Sequence, residues 1–157
     1  MKKTICLILV LCMLLSLTGC KKLLGSAAFL TLVLTGDNRA DKDAVCTFVR
    51  EHEAELLAAV QAGDYSAFEN HSLIHEINTE NEVVDFFCGG FGVGSGTSYV
   101  GFYYTPNNDM TAVWCAPASP SSLLPSGDGF AWREENGDNR YYSEKICECF
   151  YYYEASF

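Results

Sequence analysis

Residues 41–62 read DKDAVCTFVREHEAELLAAVQA, and the reading of this stretch decides the fold. Val45, Phe48, Val49, His52, Leu56, Ala59 and Val60 recur at the i, i+3, i+4, i+7 spacing of one helical face. Asp37, Asp41 and Asp43 stand where negative charge favours a helix N-terminus, and Gly63 can close the other end. Glu51, Glu53 and Glu55 fill the solvent side. The pattern predicts one amphipathic helix whose apolar stripe needs a sheet to cover.

The chain that follows supplies strands. Ser72–Asn78 is a candidate, closed by a turn at Asn78-Thr79-Glu80-Asn81. Val83-Val84-Asp85-Phe86-Phe87-Cys88 is β-branched and aromatic, the composition that fits a pleated surface. A glycine-rich connection, Gly89 to Gly96, leads into a strand over Tyr99–Tyr104, and Pro106-Asn107-Asn108-Asp109 turns the chain again. Thr111–Cys115 reads as a short strand, and Ala116–Gly129, with three of the four prolines, as loop. Phe130–Glu134, a turn at Asn136-Gly137-Asp138-Asn139, and Phe150–Tyr153 complete the set. A helix followed by turn-connected strands predicts an α+β fold: one N-terminal amphipathic helix packed on an antiparallel sheet of about four to six strands.

Upstream, the chain carries an address. Lys2 and Lys3 precede an apolar run, Ile5–Leu17, of signal-peptide length, which ends in Leu17-Thr18-Gly19-Cys20. This tetrapeptide resembles the lipobox of bacterial lipoprotein precursors. The resemblance implies that residues 1–19 are removed and that Cys20 accepts diacylglycerol. Lys21-Lys22 then opens a second apolar run through Leu34, closing in Thr35-Gly36-Asp37, a worn copy of the first with Asp37 where Cys would stand. As a helix, residues 23–35 would span under ~20 Å, short of the ~30 Å hydrocarbon core, so they are expected at the membrane interface beside the lipid. The expected organisation is therefore a signal peptide (1–19), a lipidated, membrane-proximal segment (20–36) and a single extracytoplasmic domain (37–157). The expected location is the cell membrane, lipid-anchored and facing outside the cytoplasm.

Within residues 37–157, six basic side chains oppose all 20 acidic ones, a net charge of −14. Such a surface repels phosphate backbones, which argues against nucleic-acid partners.

Several stretches recur together elsewhere: Phe86-Phe87-Cys88-Gly89-Gly90, Tyr99 to Pro106, Gly127 to Trp132, Gly137 to Tyr141, Glu144-Lys145-Ile146 and Tyr151 to Glu154. In combination they resemble a group of small Gram-positive bacterial lipoproteins and hypothetical proteins, over roughly residues 43–157. The resemblance implies a bacterial setting and one domain. It brings no activity, substrate or catalytic residue.

Five cysteines remain after the signal peptide and Cys20: Cys46, Cys88, Cys115, Cys147 and Cys149. Outside the membrane disulfides are permitted, but their pairing is not readable from spacing. Cys147 and Cys149, expected on one strand and one face, are poorly placed to bridge each other. A zinc site from Cys88, Cys115, Cys147 and Cys149 lacks the usual pair of C-x₂₋₄-C spacings, and small buried hydrophobes are the plainer reading. His71 and His75 lack the Glu that a metalloprotease pair places after its first histidine. The glycines of 89–96 lack the Lys-Ser or Lys-Thr of a phosphate loop. Asp128 and the 136–139 stretch read as turn chemistry before calcium chemistry. No catalytic constellation, cofactor motif or metal motif stands out.

The aromatics are the most suggestive feature: Tyr99, Phe102, Tyr103, Tyr104, Phe130, Trp132, Tyr141, Tyr142 and Phe150 to Tyr153 crowd the last 60 residues. Alternation would send half of them inward and half outward, and an outward aromatic row can bind a protein, peptide or carbohydrate. The leading expectation is thus a membrane-tethered, non-catalytic interaction domain. The alternative is a small surface-anchored hydrolase or metal-dependent enzyme, using a Cys or His with Asp85 or Asp138. A redox role lacks its Cys-x-x-Cys.

Overall fold

A computed structural model describes residues 37–92 and 96–157. The expected signal peptide, Cys20 and the second apolar run lie outside the described residues. Two helices, α1 (Lys42–Glu51) and α2 (Glu53–Ala62), precede seven strands: β1 (Glu76–Glu80), β2 (Val83–Phe91), β3 (Ser98–Tyr104), β4 (Leu124–Ser126), β5 (Gly129–Arg133), β6 (Arg140–Cys147) and β7 (Phe150–Ser156). All pairings are antiparallel, in the order β1-β2-β3-β7-β6-β5-β4. The class is α+β, as the sequence predicts. Among the described residues no helix is long and apolar enough to cross a membrane.

The order describes two meanders, β1-β2-β3 and β4-β5-β6-β7, joined edge to edge by β3 and β7. The connection between them, residues 105–123, runs across one face of the sheet, and the helices cover the other. Val45, Phe48, Val49 and Leu56 pack with Val84, Phe86, Phe102, Phe150 and Tyr152 on the helix side. Val113, Cys115 and Leu123 pack with Tyr103, Tyr141, Tyr151 and Tyr153 on the loop side.

The single predicted helix is interrupted. His52 leaves helical geometry (φ −112°, ψ 17°) and serves as the C-cap of α1 and the N-cap of α2. Asp41 caps α1, its carboxylate accepting from the backbone N–H groups of Asp43 and Ala44 at 3.0 and 3.3 Å. Lys42, in the first turn, reaches Glu144 Oε2 at 2.5 Å and ties α1 to β6. Gly63 ends α2 in the left-handed region, at φ 65°.

The strands differ from expectation in informative ways. Ser72–His75 is not extended. The amides of Phe68, His71 and Ile74 bond back three residues in successive turns, and the ladder begins only when His75 N–H reaches Phe87 O at 2.8 Å. The first hairpin turn sits at Asn81 and Glu82 (φ 50° and 67°), the geometry whose twist matches the flanking strands. β2 runs on through Gly89 and Gly90 and bulges between Phe87 and Gly90. At this bulge Gly89 takes φ 120°, and a Cβ there would lie 2.2 Å from Asn38 O, so only glycine lets the lead-in to α1 dock.

Thr111–Cys115 is not a strand. Asp109 captures the Thr111 N–H and hydroxyl at 2.8 and 2.7 Å, and side-chain bonds of this kind compete with a ladder. Two strands escape the sequence pattern. β4 contains Pro125, tolerated because β4 is the sheet edge. β6 buries Ser143 and Glu144, which disguise its alternation as polar sequence. Cys147 ends β6 while Cys149 sits in the following turn at φ 63°, so the two do not share a strand face.

Candidate functional site

Among the described residues two carboxylates are buried, and their environments are opposite. Glu144, on the helix side, is bonded by Lys42, by the Tyr142 hydroxyl and by the Cys46 thiol at 3.7 Å. Burial pushes its pKa up, but the Lys42 and Tyr142 hydrogen bonds outweigh that and the net shift is downward. Asp85, on the loop side, is 5% exposed. Its Oδ2 accepts from the Trp114 indole N–H at 3.1 Å, while Oδ1 is buried and has no hydrogen-bond partner of normal geometry among the described residues.

Asp85 reaches this position through strand alternation. Val84 and Phe86 enter the helix-side core, so Asp85 between them must face the loop side. Opposite it stand Asn78 on β1 and Tyr103 on β3. Tyr153 approaches from β7, one strand further off. Its register partner is Gly101, where a Cβ would lie 2.8 Å from the Tyr153 ring and hydroxyl. Glycine at 101 therefore lets the Tyr153 ring lie across β3 and brings its hydroxyl to the side of Asp85. That hydroxyl is also buried without a partner of normal geometry.

Burial pushes the Asp85 carboxyl up to about 6; Tyr153 and Trp114 pull it down, and the charge of Glu76 adds to the rise. Burial likewise raises the Tyr153 hydroxyl and the Cys115 and Cys88 thiols, so all three stay protonated at neutral pH.

In front of Asp85 opens a cleft of about 710 Å³, lined by Asn78–Asn81, Val83, Asp85 and Ala112–Trp114. It exists because residues 105–123 cover the loop face only as far as β2, leaving β1 bare. Trp114 overhangs its edge, 58% exposed. Tyr99 braces the indole edge-on at 5.4 Å, and Phe157 lies against it at 6.2 Å. Glu80 and Asp85 line the cleft, and among the described residues no Lys, Arg or His does.

The other candidates are dispersed. All five cysteines of the described residues are free thiols. Cys46 and Cys88 lie in the helix-side core and Cys115 in the loop-side core, so the sheet separates Cys88 from Cys115. Cys147 packs at the margin of the helix side, and Cys149 lies near Asn108 and Pro106. Among the described residues no three His, Cys, Asp or Glu side chains are grouped to hold a metal. His71 packs against the Phe48 ring at 4.5 Å, whereas His75, immediately before β1, is exposed and 6.2 Å from the Phe87 ring. Asp128 follows Gly127 in the β4–β5 turn. Asp138 is exposed in the β5–β6 loop, far in the sheet order from Asp85. Of the glycine-rich connection, residues 93–95 lie outside the described residues.

The outward aromatic row is not formed. Tyr103, Tyr141, Tyr151 and Tyr153 are all buried, because residues 105–123 cover the face that would have displayed them. Trp114, which sequence reasoning passes over as strand filler, is the large aromatic at the cleft. The available signal is Asp85 itself, a single carboxylate between two apolar neighbours on each side of a strand.

Comparison with protein-family models, curated proteins and solved structures returned no match.

Proposed function

We propose that this chain is a lipid-anchored extracytoplasmic binding domain. Diacylglycerol on Cys20 tethers it to the outer face of a cytoplasmic membrane, and the cleft between Asp85 and Trp114 takes a ligand without transforming it. The anchor rests on the lipobox and the apolar run before it, and the Gram-positive setting on the sequence resemblance over residues 43–157. A net charge of −14 on residues 37–157 disfavours anionic ligands.

One observation carries the binding reading: a desolvated carboxylate with one oxygen outside normal hydrogen-bond geometry and no cationic partner among the described residues lies beside an exposed indole in an open cleft. Buried polar groups are nearly always bonded, and groups with perturbed titration in a cleft concentrate at functional sites. Catalysis would require a second reacting group. Those nearest by chemistry, Tyr153 and Cys115, are held protonated by burial and are not ready nucleophiles. The hydrolase alternative keeps one point in its favour, a carboxyl at about 6 that suits proton transfer.

Intact-mass measurement of the membrane-extracted protein tests the anchor. The expected mass begins at Cys20 and includes diacylglycerol, and Cys20→Ala is expected to leave an unprocessed precursor. An unlipidated full-length mass from the native host overturns it. Turnover of ester or glycoside substrates that disappears in Asp85→Asn would replace binding with catalysis.

A further inference from the structure

Resting on the reading of the cleft as a binding site, we propose that what it recognises is an organic ammonium group. Among the described residues the lining contains two carboxylates, Glu80 and Asp85, and no basic side chain. Glu76 adds a third negative charge, felt at Asp85. An ionised carboxylate taken out of water without a counter-charge is costly, and a cation delivered to it removes that cost. At Glu144 the protein supplies its own ammonium, Lys42, at 2.5 Å. At Asp85 the described residues supply none: its neighbours Trp114 and Tyr153 are neutral, and the residue lines the cleft.

Trp114 provides the second half of the recognition. Its N–H is committed to Asp85 Oδ2, which fixes the ring beside the carboxylate and leaves the ring exposed. A cation over an indole face is attracted by the ring quadrupole, and indole is the strongest of the aromatic side chains for this. Ring and carboxylate thus form adjacent walls for one positive charge. Asn78, Thr79 and Asn81 offer neutral polar contacts to whatever carries it.

Asp85 is expected to weaken binding in mild acid by gaining a proton, and several groups face it. From β1 come Glu76 and Glu80, from β3 Tyr103, from β7 Tyr153 and from the loop Cys115, while Cys88 lies across the sheet in the helix-side core. Burial raises the three phenol or thiol groups Tyr103, Tyr153 and Cys115, and Cys88 with them, so they remain neutral throughout.

The test uses the mature lipidated protein in an uncharged polyoxyethylene detergent, with the indole N–H resonance of Trp114 as reporter and Trp132 as internal control. Four probes are titrated: choline, n-butylamine, the uncharged carbon isostere of choline (3,3-dimethyl-1-butanol), and a neutral pyranose. Choline or n-butylamine is expected to shift Trp114 at least tenfold more tightly than the isostere. The tighter of the two identifies an alkylated headgroup or a lysine-like primary amine as the source. Asp85→Asn is expected to weaken binding at least tenfold, and Glu80→Gln, at an exposed position that folding does not depend on, by a smaller factor. Choline affinity is expected to fall about tenfold per pH unit below about 6, as Asp85 takes its proton. Equal binding of choline and its isostere, or an unchanged affinity in folded Asp85→Asn, overturns the proposal. A response to the pyranose alone would keep the cleft as a binding site and discard the ammonium. Silence of Trp114 to all four would discard both.

Discussion

The sheet face beneath the helices is lined by Phe86, Phe102 and Phe150, while the face beneath residues 105–123 is lined by Tyr103, Tyr141, Tyr151 and Tyr153. Each face is buried and aromatic, yet among the fully buried rings the hydroxyl falls mostly on one side. The difference follows from what covers each face. A helix satisfies its backbone groups internally, so the surface beneath it needs only apolar volume. An irregular cover cannot do so, and its carbonyls must find donors from below. Tyr141 Oη donates to Met110 O at 2.8 Å, and Tyr151 Oη to Asn108 O at 3.0 Å. Tyrosine fits because its ring fills the core while its hydroxyl reaches the loop. On the helix side Tyr152 is the fully buried exception and sends its hydroxyl to Glu154 at 2.6 Å, while the half-buried Tyr142 sends its own to Glu144.

The largest expected effect tests the helix side. Phe102 is fully buried, stacked on Phe86 at 4.5 Å and 6.1 Å from Phe48. Phe102→Ala is expected to cost about 3–5 kcal/mol in urea denaturation, the range for emptying a large apolar site. A loss under about 1 kcal/mol would mean that the helices do not depend on close packing against the sheet.

Next in size is the pair of buried carboxylates, one on each face. The Asp85 carboxyl is raised to about 6 from 3.8, so the folded state holds its proton more tightly than the unfolded chain. Stability from this group is present below about pH 4 and is lost as pH rises through about 6, by about 3 kcal/mol. Glu144 is shifted downward, so its contribution has the opposite sign: present at neutral pH and lost on acidification. Between pH 4 and 7, Asp85→Asn is therefore expected to gain stability relative to the parent protein, and Glu144→Gln to lose it. Parallel pH profiles for the parent and Asp85→Asn would show that Asp85 is not desolvated.

The contrast between the faces also explains which parts are legible in the sequence. The helix side can be read because apolar residues recur at helical spacing in 45–60 and at every second position around Val84 and Phe86. Five of the six expected strands exist within a few residues of their expected places. The loop side cannot be read in this way. Its cover is built from turns, such as the one Asp109 makes with Thr111, and turns leave no period to detect. Its floor includes Ser143 beside Tyr103 at 3.2 Å, a polar contact inside a core that breaks the apolar alternation of β6. The bond from Trp114 joins this turn-built segment to Asp85, 29 positions earlier, so half of the candidate site lies beyond pattern reading. Asp85 itself is visible in the sequence, as a carboxylate in an apolar strand. The distribution of Phe and Tyr between alternate positions of 102–103 and 150–153 is the unused clue that two different covers lie above the sheet.

Tyr141→Phe tests that clue directly. The change keeps the ring and its packing and removes one oxygen, so the apolar burial of the loop side is unchanged. What is lost is the donor to Met110 O, in a segment where the carbonyl has little other recourse. The expected cost is about 1–2 kcal/mol, the range for stranding one buried acceptor. The location of the effect is the more telling part. Amide hydrogen exchange should quicken at residues 110–116, held down by this bond, while α1 and the β1–β2 ladder exchange at parent rates apart from the common shift in global stability. If protection falls uniformly across both faces, the hydroxyl is not what secures the loop, and the tyrosines of that face serve only as bulk.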